Sequence, residues 1–285
     1  MPIHFLMMKR RRNNIVRVCY VLICAIAISC NNSQPVEKIH AGYDADAINS
    51  VLIAADSLNT FPFLQKRVTE IKNALKNPRP VLLFKDSLTN EQALAQIIAL
   101  SDSAFTQFLI DPYSKQPCRN EIFGIYPARQ SDLSTIKAAY NLASTYRVEM
   151  YNYAFNNTSV ALVDVQQQKV LGSYYTTNSQ PDIPLYLRSL AVKIAIESPE
   201  VQSALGVKPE EKDALMASTK TSLNRTRCER SRHLCVAPTF VNGDKALWAI
   251  VDLTDHRLVG IRWTDVGKSG PAAPMVTEKR LQDDK

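Results

Sequence analysis

A chain of 285 residues that is 46% hydrophobic, 8% aromatic and 21% charged has the composition of a globular protein with a sizeable core, which excludes a disordered or low-complexity chain. The formal charge of +7 invites nucleic acid or an acidic surface, but Lys9, Arg10, Arg11, Arg12 and Arg17 all precede Cys30 and no acid does. Beyond residue 29 there are 29 Lys and Arg against 27 Asp and Glu, so nucleic acid is not an expected partner.

The first element is a leader. "MKRRRNNIVRVCYVLICAIAISC" has a basic start, an apolar run from Val18 to Ile28 and small residues before a cysteine. Such a run of about 11 residues is too short for a membrane span of roughly 20. Residues 1–29 resemble a bacterial lipoprotein signal peptide, with Ala27-Ile28-Ser29-Cys30 as the lipobox and Cys30 as the lipid-bearing residue. Plain secretory cleavage and a retained anchor are the alternatives. The expected address is the bacterial cell envelope, with the membrane engaged through lipid on Cys30. The absence of an acidic run beside Cys30 favours a periplasm-facing protein over a surface-displayed one, with the outer membrane as the expected membrane.

The polar stretch "NNSQPVEKIHAGYDAD" reads as a tether. "DAINSVLIAADSL" and "FLQKRVTEIKNAL" have helical patterning and predict a lead-in that packs on the first of two domains, with Pro78 and Pro80 marking the boundary near residue 84. Thr89 followed by Gln92 reads as a capping box for a helix over 94–109. Strands are expected near 117–126 and 145–156. "SVALVDVQQQKVLGSYYT" (159–176) then reads as a β-hairpin, with Ala161, Val163 and Val165 on one face.

These elements recur. At a shift of 88 positions the hairpin lies over "ALWAIVDLTDHRLVGIRWT", with Val163-Asp164 on Val251-Asp252, Lys169 on Arg257, Gly172 on Gly260 and Thr176 on Thr264. The helix has a counterpart at 190–205, where Leu94, Ala95, Ile98, Ala99 and Leu109 recur as Leu190, Ala191, Ile194, Ala195 and Leu205. Strands over 214–227 and 233–241 complete the second set. The expected architecture is α+β: tandem duplicated domains at 85–180 and 181–268, each one helix on a three- or four-stranded antiparallel sheet, followed by a tail at 269–285. Asp164 and Asp252 fall at matching strand ends, where hydrogen bonding within a turn explains them better than paired catalytic acids. Trp248 and Trp263 are expected to pack across the sheet.

The residues "PLYLRSLAVKIAIESPEVQSALG" (184–206) and "ALWAIVDLTDHRLVGIRWTDVG" (246–267), with Pro271 and Pro274 after them, resemble the two small N-terminal domains of copper amine oxidases, over roughly residues 85–275. The same helix-and-hairpin arrangement occurs in cystatin-like and PepSY-like envelope modules, so the resemblance implies a cystatin-like fold. In the oxidases these domains do no chemistry; a downstream domain holds copper on three histidines and a quinone made from tyrosine in an Asn-Tyr-Asp/Glu motif. Here Asn152-Tyr153 is followed by Ala154, and beyond the leader and tether only His233 and His256 remain. The resemblance therefore assigns no catalytic residue, metal ligand or small-molecule cofactor. It leaves an alternative: the N-terminal portion or accessory of an amine-oxidase-like system, with copper and quinone in a separate catalytic domain.

Once Cys19, Cys24 and Cys30 are set aside, Cys118, Cys228 and Cys235 remain. Cys228 and Cys235 flank a short polar turn. A cross-hairpin disulfide is the simplest reading there, ahead of free thiols and of a metal site completed by His233. Cys118 is either a buried thiol or a route to a disulfide-linked partner. Arg225, Arg227, Arg230, Arg232 and His233 crowd the same turn with one acid, Glu229, either as a solvated turn or as a contact for an anionic ligand. The expectation is a non-enzymatic envelope lipoprotein that binds an envelope protein or anionic ligand, or stabilises an assembly.

Overall fold

The computed structural model describes residues 61–266, apart from 135, 137, 138, 219–227 and 229–232. Cys30, the leader, the tether and the tail lie outside the described residues, as do Arg225, Arg227, Arg230 and Arg232. Among the described residues the fold is mixed α+β, with two separate sheets of five and four strands and no barrel.

The first helix, α1 (Leu64–Leu75), runs into the turn at Pro78 and Pro80 and then into β1 (Val81–Leu82). This two-residue strand pairs parallel with β2 (Asn120–Pro127), so the sheet gains an edge ahead of the expected boundary. Between them, α2 (Asn90–Ser101) starts at the expected capping box: Thr89 Oγ1 accepts from the Gln92 N–H, and Gln92 Oε1 accepts from the Thr89 N–H. Gln92 also donates to the Ile125 carbonyl, which fixes the helix start to the sheet. The helix stops at Ser101, short of the expected residue 109. Asp102 turns extended there and accepts from the Phe105 N–H, so Phe105 and Leu109 reach the core from turns.

The first sheet continues antiparallel through β3 (Thr145–Asn152), β4 (Asn157–Asp164) and β5 (Lys169–Thr177). Ala161, Val163 and Val165 share one face, as their alternation requires, and pack with Ile122, Val148 and Met150 against Ala95, Ile98 and Ala99 of α2.

The second helical stretch is broken where one helix over 190–205 was expected. α3 (Leu185–Glu197) ends at Ser198, and α4 (Pro199–Leu205) begins with Pro199. A proline lacks the N–H to continue α3 and disfavours helical geometry in the residue before it; Ser198 is accordingly extended. The chain then forms β6 (Ala214–Ser218), β7 (Cys235–Asn242), β8 (Lys245–Asp252) and β9 (Arg257–Asp265), antiparallel in that order.

The two closing hairpins have the same register. In the first, Asp164 pairs Lys169, Val163 pairs Val170, and a bulge lets Leu162 meet Gly172. In the second, Asp252 pairs Arg257, Val251 pairs Leu258, and a bulge lets Ile250 meet Gly260. The last turn residue is left-handed in both, Gln168 at φ 49° and His256 at φ 55°. The connections before them differ: four residues with Asn156 left-handed between β3 and β4, but only Gly243-Asp244 between β7 and β8.

The two sheets do not bury their faces separately. Val236, Phe240, Leu247, Ala249, Val251 and Leu258 pack on Leu187, Ala191 and Ile194 of α3, and Phe123 and Tyr151 of the first sheet, with Tyr153 just after β3, enter the same cluster. The rings of Tyr151 and Tyr153 meet edge to face 4.8 Å apart, an arrangement that favours aromatic contact, and that of Phe123 lies tilted 5.3 Å from Tyr151. Phe61, Phe63, Leu64 and Val68 at and within α1 join this second core, so the lead-in is not confined to the first sheet as expected. All described residues belong to one compact unit.

Trp248 and Trp263 fall on opposite faces of the second sheet. Trp263 packs on the core, while Arg262 lies 5.9 Å over the ring of Trp248. Cys118 is fully buried, and burial followed by the nearby charge of Asp111 pushes its thiol up to about 12. The buried-thiol alternative is therefore the one observed. We expect Cys118 to escape alkylation by iodoacetamide in the native protein and to react on unfolding, as read by intact mass.

Candidate functional site

The first site grows from the turn that closes each hairpin. In the first sheet Asp164 Oδ1 accepts from the Gln166 and Gln167 N–H groups and from Ser144, while Oδ2 accepts from the Gln167 side chain. In the second, Asp252 Oδ1 accepts from the Thr254 and Asp255 N–H groups at 2.8 and 3.1 Å. Each turn thus uses one carboxylate oxygen to satisfy two backbone donors, which is why an aspartate stands at both strand ends.

The remaining oxygen is where the two corners part. Asp252 Oδ2 lies 2.7 Å from His233 Nδ1, and Asp255 Oδ2 lies 3.8 Å from the same nitrogen. Cys228 and Cys235 stand beside them at disulfide-bonding distance, with Cα atoms 5.8 Å apart, packed on Ile250 and Val259. His233, Asp252 and Asp255 are all buried. Burial alone would push the Asp252 carboxyl up, but His233, the turn N–H groups and Arg257 hold it below its ordinary value. Gln180 donates to the His233 carbonyl and Thr254 Oγ1 accepts from the Leu234 N–H, so the corner is pinned from both flanks. Of the five basic residues expected to form an anionic contact, His233 alone lies among the described residues, and it faces inward onto acids.

A second cluster lies where α1, the first sheet, α3 and the second hairpin turn meet. Glu121 on β2 is fully buried, pairs with Arg67 of α1, and accepts from the hydroxyls of Tyr153 at 2.8 Å and Tyr186 of α3 at 2.5 Å. Arg119 lies 3.7 Å over the ring of Tyr153 and donates to the Thr254 carbonyl at 2.8 Å, bridging the first sheet to the second hairpin turn. Against burial, Arg67 and Arg119 hold the Glu121 carboxyl below its usual range, and burial with Glu121 pushes both tyrosines up. The sequence shows Glu121 only as an acid ahead of the apolar run over 122–125. The Asn152-Tyr153 pair is absorbed here too: the Asn152 amide donates to the Phe108 carbonyl and to Asn120 Oδ1, and Tyr153 holds Glu121.

His256 ends the second turn in this cluster, buried, and neither ring nitrogen has a hydrogen-bond partner among the described residues. Burial first, then the positive charges of Arg119, Arg67 and Lys85, pull its pKa well below the usual 6.5. Because the unfolded imidazole takes a proton first, stability contributed by neutral His256 is complete above pH 6.5 and falls as pH drops below it. Urea unfolding between about pH 7.5 and 5.5 should show this loss, and His256→Asn, which tolerates the left-handed backbone, should flatten the slope.

Compared with known proteins, the chain matches no family model and no curated relative.

Proposed function

We propose that this chain is a non-enzymatic bacterial envelope lipoprotein, tethered through Cys30, whose two copies of one cystatin-like α+β unit form a rigid module for binding a protein or ligand or for stabilising an assembly. The observation that carries the scaffold reading is the use made of the buried acids. Glu121 is spent on joining α1, α3 and the first sheet, while Asp164 and Asp252 serve the backbone of their turns. Duplication is supported by the matching bulge, pairing and left-handed turn residue in both hairpins at the 88-residue shift. The anchor rests on the basic, apolar and small-residue order that ends at Cys30, and no helix among the described residues is long and apolar enough to cross a membrane.

Expression in a bacterial host with an alkyne fatty acid tests the anchor. Label should appear on the wild type in the membrane fraction and vanish in Cys30→Ser, with that variant released to the soluble envelope fraction. Unchanged labelling in Cys30→Ser would remove the reading, as would amine oxidation with peroxide release by the purified chain.

A further inference from the structure

The corner around Asp252 contains more than the turn requires. Its counterpart at Asp164 builds the same turn with Ser144 and Gln167, so His233, Asp255 and the cysteine pair are additions that the backbone does not need. The sulfurs of Cys228 and Cys235 and a carboxylate oxygen of Asp252 all lie within 4.8 Å of one another. So do His233, Asp252 and Asp255, and every one of these residues is buried.

We propose that reduction of the Cys228–Cys235 disulfide opens a site for one thiophilic divalent cation, zinc being the type, held by Cys228, Cys235 and a carboxylate oxygen of Asp252, with His233 beside Asp252 as a positioning residue. A dithiol reductant supplies two electrons and two protons; the Cys228–Cys235 bond breaks to two thiols while the dithiol closes to its own disulfide. Metal entry then displaces both thiol protons, which leave to solvent.

The geometry suits zinc. Bonds of about 2.0–2.3 Å in a tetrahedron place ligand atoms roughly 3.3–3.8 Å apart, and the two sulfurs and an Asp252 oxygen already lie within 4.8 Å of one another. Two sulfurs on Cα atoms 5.8 Å apart reach that separation by side-chain rotation. Asp252 Oδ1 is held by two backbone donors and Oδ2 lies 2.7 Å from His233 Nδ1, so the carboxylate is fixed in place beside the sulfurs. Two thiolates select zinc over calcium or magnesium, which take oxygen ligands.

The test is zinc retention by the full chain against a chromophoric chelator, with and without prior phosphine reduction, in the absence of oxygen. The reduced wild type should hold about one zinc and the unreduced protein none; cobalt in its place should give a thiolate-to-metal charge-transfer band. Cys228→Ser with Cys235→Ser, and His233→Ala, should weaken retention at least roughly tenfold, while Asp164→Asn and Cys118→Ser should leave it unchanged. The double serine variant keeps Cys118 and Cys30, so it separates this corner from the other thiols. Equal retention by the double serine variant and the wild type would overturn the proposal, as would equal retention before and after reduction. Circular dichroism of each variant guards against misfolding; if Asp252→Asn fails to fold, the cysteine and histidine variants decide the question.

Discussion

Glu121→Gln should cost about 3–5 kcal/mol of stability, because it leaves the Arg67 guanidinium buried without a counter-charge. Glutamine keeps the shape, but its carbonyl oxygen replaces only one of the two oxygens that accept from Tyr153 and Tyr186 and its amide must donate to the other hydroxyl, so the loss combines the charge with one reversed hydrogen bond. Removing the stranded charge as well, in Arg67→Met with Glu121→Gln, should restore much of the stability, since taking away one partner of a buried pair costs more than taking away both charges. The exposed pair of Lys208 and Glu197, at 2.8 Å, supplies the contrast. Its loss should cost at most about 1 kcal/mol, because water solvates both ends when they part. Urea unfolding of these variants at pH 7.5 measures the difference. A Glu121→Gln effect no larger than that of the surface pair would contradict the assignment.

Phe123→Ala should destabilise the protein by about 3–5 kcal/mol, the cost of a fully buried phenylalanine with partial collapse of the cavity it leaves. Its position makes the form of the unfolding curve informative. Phe123 belongs to the first sheet but packs among residues of α3 and the second sheet, so its removal should weaken both sheets together rather than the first alone. Tryptophan fluorescence reports the second sheet, where Trp248 and Trp263 lie, and far-ultraviolet circular dichroism reports the whole chain. Both should shift to the same new midpoint.

Much of this fold can be read from local pattern. Alternation places Ala161, Val163 and Val165, and likewise Ala249, Val251 and Leu253, on core-facing sides, and both sets enter the clusters they should. Thr89 and Gln92 mark the start of α2, three residues apart, because a cap is a local hydrogen-bond exchange. Pro199 carries a helix-stop signal that the apolar spacing over 190–205 overrides in a periodicity reading. The two-residue strand at Val81–Leu82 is too short to show a period.

The polar junction is hardest to see for a different reason. Glu121 finds Arg67 at a sequence separation of 54 and Tyr186 at 65, and neither pairing leaves a mark in any window along the chain. The corner at Asp252 lies between these cases. Cys228, His233 and Cys235 are close in sequence and their proximity is expected, but the acids that face His233 come from the end of β8 and the turn that follows it.

The reading as a rigid scaffold depends on the two sheets opening as one body. Native-state hydrogen exchange in increasing urea, read by peptide mass, measures that most directly. Peptides from β3 and β8 should exchange with the same opening free energy and fall together in Glu121→Gln. Exchange of β8 at low urea while β3 stays protected would contradict it.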